Sequence, residues 1–200
     1  MNALSRFPDE MAGSFSFEDF QHLLHPLTEL SDPSTADMLD VRRLEIDGHP
    51  MPEPYRGLLV HDTDMTSTLE TFHRERPRLE VLARLRRGTG LFRKVLLRGS
   101  DRGHVMEYGA IRIELDVLPS QARFAVLEGS RPLGGILGDH RVEFISRPES
   151  FFSLKPSPSL QRTLGLDEAV LLYGRKNFLL TGDEDVLAEV VEILPPAPRV

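Results

Sequence analysis

Hydrophobic positions change period along this chain, and the changes mark out its elements. Phe15, Phe17, Phe20, Leu23, Leu24 and Leu27 recur at helical spacing, which predicts a short amphipathic helix over 15–30 that Pro26 weakens or ends. Asp32-Pro33-Ser34 reads as a turn, and the proline-bearing stretch 49–54 as a linker or entry loop. Asp64 suits the N-cap of a helix running from Met65 to about Arg74, with Pro77 closing it. Strand-like alternation then takes over, with Leu79, Val81, Ala83 and Leu85 on one face of a first strand. Arg87-Gly88-Thr89-Gly90 turns the chain into a second strand over 91–98, and Gly99 to Gly103 into a third over 104–118. Residues 119–129 suit a helix, Gly134, Gly135 and Gly138 a tight glycine-rich segment, and 141–146 a short strand before an irregular stretch over 147–159. Strands over 170–180 and 186–194 close the chain as a hairpin. Consecutive strands joined by short turns predict an α+β fold on an antiparallel sheet.

Two charges break this pattern. Alternation places Arg93 in one row with Leu91, Val95 and Leu97, which should face the core. A guanidinium cannot shed its charge, so it needs an anionic partner there, either a protein carboxylate or a ligand carboxylate held by both nitrogens. Glu189 likewise shares a row with Leu187, Val191 and Ile193, while Glu192 falls among Val186, Ala188, Val190 and Leu194. A carboxyl group in apolar surroundings tends toward a raised pKa and suits general-acid work; a buried salt bridge to Arg93 or Arg175 is the other reading. The functional reading joins Arg93 and Glu189 across one pocket for a small, planar, anionic molecule.

Composition narrows the classes. Two hundred residues, 40% of them hydrophobic, suit one domain that buries roughly 70% of its unfolded surface. Without cysteine there is no disulfide, thiolate nucleophile or Cys-ligated metal, and a cytoplasmic location is the default expectation. Residues 1–20 lack the apolar run of a signal peptide, and no apolar run approaches the roughly 20 residues a membrane span needs. The net charge of −7 hides a reversal. Residues 1–54 hold eleven acids against three arginines, which argues against a nucleic-acid partner, whereas 74–102 hold ten basic residues against three acids. That basic stretch favours a small anion, or else a solvated strand face. No phosphate-binding loop, dinucleotide fingerprint or nucleophile elbow is present, and His22 and His25 have no third ligand placed to complete a metal site.

Four segments in order resemble the chorismate lyase (chorismate–pyruvate lyase) family. They are Leu58 to Glu70, the arginine-bearing Phe92 to Leu97, Arg131-Pro132-Leu133-Gly134, and Tyr173 through Thr181-Gly182 to Glu189. The resemblance spans about residues 55–195, leaving 1–54 as an acidic helix and linker packed on the domain and 196–200 as a tail. It implies a sheet of about six antiparallel strands enclosing a pocket, and cofactor-free, metal-free conversion of chorismate to 4-hydroxybenzoate and pyruvate. Carried over position by position, Met65, Arg93, Leu133 and Glu189 match the family's substrate-binding residues, with Glu189 as acid/base. Arg112 is the candidate for the family's second arginine, although alternation sets it in a polar row, and Arg175 is a further candidate contact. Asp64 stands where the family usually has Ser, and two extra residues separate Glu189 from Pro195. These departures leave open a same-fold enzyme acting on another small aromatic or enolpyruvyl carboxylate, or a non-catalytic ligand-binding domain of the kind found in bacterial transcription regulators.

Overall fold

Seven strands follow one another in the computed structural model, which describes residues 22–30, 40–44 and 47–197. They are β1 (Asp40–Arg43), β2 (Pro77–Arg87), β3 (Gly90–Gly99), β4 (Val105–Glu114), β5 (Ile145–Lys155), β6 (Leu172–Leu180) and β7 (Val186–Leu194). Five α-helices have their bounds within the described residues: α1 (Tyr55–Leu59), α2 (Met65–His73), α3 (Ser120–Glu128), α4 (Leu133–Asp139) and α5 (Pro158–Leu164). All strand pairs are antiparallel, in the order β1-β5-β6-β7-β4-β3-β2. Short turns make β2, β3 and β4 neighbours, as they do β6 and β7, because a two- to five-residue connection leaves a strand no other place to pair.

The sheet has seven strands where about six were expected. The extra one, β1, comes from the acidic segment and pairs along the edge of β5, Asp40 opposite Lys155 and Arg43 opposite Phe152. The stretch read as irregular, 147–159, is mostly strand: β5 absorbs Pro148 in a register shift before Ser150, which hides its alternation. Ser157 then caps α5 by accepting from Leu160 N, with Pro158 in the first turn. The glycine-rich segment is the helix α4, and β4 ends at Glu114, short of Leu118. Of the helix expected over 15–30, residues 15–21 lie outside the described residues, as do the turn at Asp32 and residues 198–200. Residues 22–30 form a helical turn followed by a 3-10 turn, Thr28–Leu30.

Both faces of the sheet are covered, which is why β7 is apolar on both sides. One face packs under the segment 22–30 and α5, where Leu23, Leu24, Leu27, Leu160 and Leu164 meet Leu96, Tyr108, Phe152, Val191 and Ile193. The other carries α1 to α4, with Leu59, Met65 and Leu69 at one end and Leu133, Ile136 and Leu137 toward the other. A bulge between Val81 and Ala83 breaks the alternation of β2. The expected row Leu79, Val81, Ala83, Leu85 is therefore split: Leu79 and Val81 share the face of Leu97 and Val95, but beyond the bulge it is Arg84 that lies opposite Arg93.

Candidate anion-binding site

Strand register assembles the site on the helix-covered face. Arg93, Ile111, Val190 and Asn177 lie side by side across β3, β4, β7 and β6. The next row on this face is Val95, Gly109, Glu192 and Arg175, and beyond it Leu97 lies opposite Glu107. Over these rows sit the first turns of α2 and α4, contributing Met65, Thr66, Leu133 and Gly134. Asp64 holds α2 in place, its carboxylate accepting from Ser67 N at 2.9 Å. Gly134 lets the two turns meet, since a Cβ there would stand 2.7 Å from Asp64 Oδ1. A cavity of about 70 Å³ remains between sheet and helices, with Arg93, Glu107, Asn177 and Glu192 among its walls.

Arg93 is 1% exposed. Among the described residues nothing accepts a hydrogen bond from its Nε or Nη1. Burial, and then the neighbouring Arg84 charge, pull its pKa down to about 10, so it stays cationic at neutral pH, and among the described residues it has no ion-pair partner. Arg84 is anchored elsewhere, donating to the Leu127 carbonyl at 2.8 Å.

Glu192 is already spoken for. It accepts from Arg175 Nε, and Arg175 Nη1 donates to the carbonyls of Leu59 at 2.9 Å and His61 at 3.0 Å. Arg175 thus ties β6 and β7 to the end of α1 and is not part of the cavity wall. Glu107 has no such tie. It is 4% exposed, and among the described residues Oε2 has no hydrogen-bond partner. Burial, then the nearby Glu192 charge, raise its pKa well above the ordinary carboxylate value, against the pull of Arg175. Room for it comes from Gly109, where a Cβ would stand 2.8 Å from Glu107 Oε1.

The structure brings Met65, Arg93 and Leu133 together at this cavity. It does not bring Glu189 or Arg112 there. Those two lie opposite each other on β7 and β4, on the other face of the sheet. Glu189 bonds Lys176 Nζ at 2.6 Å and His25 Nδ1 at 2.7 Å. Burial alone would raise its pKa, but hydrogen bonds from His25 and Lys176, with the Lys176 charge, outweigh it and lower the value. The buried salt bridge expected as its other reading therefore exists, with Lys176 and His25 in place of Arg93 or Arg175. Arg112 pairs with Glu114 and lies over the Phe92 ring. Elsewhere in the basic stretch, Arg87, Arg98 and Arg102 pair with Glu29, Glu80 and Glu75.

Glu107 and Asn177 went unnoticed in the sequence, yet Glu107 carries the same signal as Arg93. It shares its row on β4 with Gly109, Ile111 and Ile113, an apolar row holding one charge. A second cavity, about 220 Å³, lies near α2 and the end of β7. Its His73 and His104 bond each other at 3.0 Å and most of its remaining lining is apolar, so no unmatched charge calls for an ion. Among the described residues no cluster of three or more metal-ligating side chains occurs, and no helix is long and apolar enough to cross a membrane.

No family model matches the chain, and no curated protein matches its sequence. Solved structures do. PhnF from Mycobacterium smegmatis superposes with a TM-score of 0.51 at 9% identity, over 66% of this chain and 63% of that one. YydK from Bacillus subtilis, a possible transcriptional regulator, gives 0.47 at 9% over 60% and 57%. The ligand-binding domain of a protein assigned to the GntR family of transcriptional regulators, from Bordetella bronchiseptica, gives 0.46 at 13% over 60% and 83%. The chain thus spans less than two thirds of the YydK and PhnF chains. The fold is chorismate lyase-like. It is the fold of the ligand-binding domains of GntR-type regulators, and at these identities the likeness speaks for the fold alone.

Proposed function

We propose that this domain binds a small organic anion in the Arg93 cavity and acts as a ligand-binding unit, not as a lyase. The observation that carries the reading is the buried guanidinium with unmet donors. A cation taken out of water without a partner costs several kcal/mol, and a ligand carboxylate supplies both the counter-charge and the acceptor oxygens that these donors lack. Such a site needs only Arg93, the apolar walls and the covering turns of α2 and α4. A lyase needs in addition an acid facing the same guest, and Glu189, expected in that role, faces the other way.

Size sets a further bound. An apolar cavity of about 150 Å³ takes benzene, and this one is near half that. A carboxylate fits the space beside Arg93 as it stands, and anything larger extends toward the partly exposed Asp64, Thr66, Pro132 and Gly134. One observation favours the chorismate lyase reading as the second: Glu107, a carboxyl whose pKa is raised by burial and by the Glu192 charge, lines the cavity where that reading needs an acid.

The test is a panel of small carboxylates followed by thermal shift and calorimetry. A true ligand at 100 times its Kd raises stability by about 2.7 kcal/mol, and the gain should vanish in Arg93→Met. If no carboxylate stabilises the protein, the binding reading falls. Pyruvate released from chorismate by micromolar protein would instead establish the lyase.

A further inference from the structure

The cavity near α2 and the end of β7 has about three times the volume of the Arg93 cavity, 220 Å³ against 70 Å³, and shares no lining residue with it. Voids of that size are few in interiors packed as densely as organic crystals. Leu58 of α1, Leu69 of α2, Met106 of β4, Leu164 of α5 and Leu194 of β7 give it apolar walls. The Tyr55 hydroxyl accepts from Ala197 N at 2.9 Å and so pins the stretch after β7 as a further wall. Among the described residues that line it, none is Asp, Glu, Lys or Arg. An ion entering the cavity meets no counter-charge, and the cost of burying it turns it away.

The polar part of the lining is a pair of imidazoles, with His73 Nδ1 and His104 Nε2 3.0 Å apart. Behind His104 stands Glu75, its carboxylate held by the N–H groups of Asp101 and Arg102 and by the Arg102 side chain. Glu75 Oε2 lies 3.8 Å from His104 Nδ1, which is buried and has no hydrogen-bond partner among the described residues. A bare lone pair on that nitrogen would confront an anionic oxygen. With both rings neutral, His104 Nδ1 therefore carries the hydrogen, and His104 Nε2 accepts from His73 Nδ1–H. Nε2 is then the nitrogen His73 has left to offer, and it is an acceptor. Burial, then repulsion from His104 and Arg102, hold the His73 pKa to about 4 against the pull of Glu75, so this ring is neutral at neutral pH.

We propose that this second cavity is a binding site for a small uncharged alcohol or phenol, its apolar body held among α1, α2, α5 and β7 and its hydroxyl donating to His73 Nε2. Scaled from the roughly 150 Å³ that takes benzene, the space holds about nine non-hydrogen atoms. The inference stands apart from anion binding at Arg93.

p-Cresol and p-xylene, alike in shape and different by one hydroxyl, test it. Calorimetry on the full chain at pH 8 should show one site for each. In His73→Phe the ratio of cresol to xylene affinity should fall at least about fivefold, the cost of leaving one buried hydroxyl unmet. Leu166→Trp, which fills the cavity from the stretch after α5, should abolish binding of both. An unchanged ratio in His73→Phe, or cresol binding that survives Leu166→Trp, overturns the proposal. Cresol binding that is lost in Arg93→Met belongs to the first cavity and overturns it too. If the compounds bind only a variant ending at Ala197, the occupant is the chain's own residues 198–200 and the proposal falls; it falls equally if they bind neither form. Should His73→Phe not fold, nitrogen NMR of histidine-labelled protein decides the matter. The His73 Nε2 signal should be that of an unprotonated nitrogen and should respond to p-cresol more than to p-xylene; a protonated Nε2, or equal responses, overturns the assignment.

Discussion

Replacing Arg93 by Met should make the unliganded protein more stable and deaf to anions. Met keeps the length and apolar stem of the side chain and removes only the charge that nothing in the described structure answers. The arginine pKa stands at about 10. At about 1.4 kcal/mol per pH unit, its fall from the ordinary value amounts to about 3 kcal/mol held against the charged form. Because the folded pKa of this base is depressed, the penalty is present in full below pH 10 and fades only above it. Between pH 5 and 9 it is constant, so no titration masks the comparison. Exchange of buried charge for apolar volume elsewhere has gained about 1–4 kcal/mol. Some of the gain here is lost to imperfect packing around Ile111 and Val190, which leaves an expected rise of about 1–3 kcal/mol. In a chain of this size that is a Tm increase of about 2–10 °C. Urea titrations at pH 7 on both proteins, without and with a carboxylate ligand, read out both effects. Carboxylate affinity should fall at least ~30-fold, the lower end for losing one partner of a buried, hydrogen-bonded charge pair. If Arg93→Met is less stable than the parent by 1 kcal/mol or more, the guanidinium has a structural partner and the cavity is not an anion site.

On the opposite face the sign reverses. Glu189→Leu leaves the buried Lys176 with only the more distant Glu149 carboxylate, at 4.0 Å, and should cost up to about 3 kcal/mol, measured by urea melts, while carboxylate binding at the Arg93 cavity persists; an unaffected melt would show that the pair is not buried as described. Glu75 accepts from the backbone N–H of Arg102, the backbone N–H of Asp101 and the Arg102 side chain, which hold its pKa to about 2. The stability it contributes is present above the ordinary carboxylate pKa and lost as pH falls from there toward 2, so Glu75→Gln should flatten that limb of the Tm–pH curve. Gly109→Ala sets a methyl against Glu107 Oε1 and 3.1 Å from the Val191 carbonyl. It should cost about 1–3 kcal/mol and weaken ligand binding together, and a stable variant with unchanged binding would mean that Glu107 does not fill the space over Gly109.

Much of the architecture was legible because its signals are local. The helix behind Asp64, the hairpin of β6 and β7, and the run of β2, β3 and β4 each follow from a cap, a short turn or a period of two. The anomaly of Arg93 was legible for the same reason: within one strand, alternation alone says which residues share a face. β1 and most of β5 were hidden, since β1 spans four residues and the alternation of β5 is interrupted at Pro148.

What the linear pattern could not supply is how the faces of different strands align. Arg93 and Glu189 each sit in an apolar row, but the rows belong to opposite sides of one sheet, each with its own covering layer. Only the register β3–β4–β7–β6 shows that the carboxyls facing Arg93's side are Glu107 and Glu192, and only the bulge in β2 sets Arg84 opposite Arg93. A shift of one residue between neighbouring strands exchanges every side chain from one face to the other. That shift is decided by packing between elements far apart in the chain, a tertiary property, whereas the presence of a charge in an apolar row is written in the strand itself.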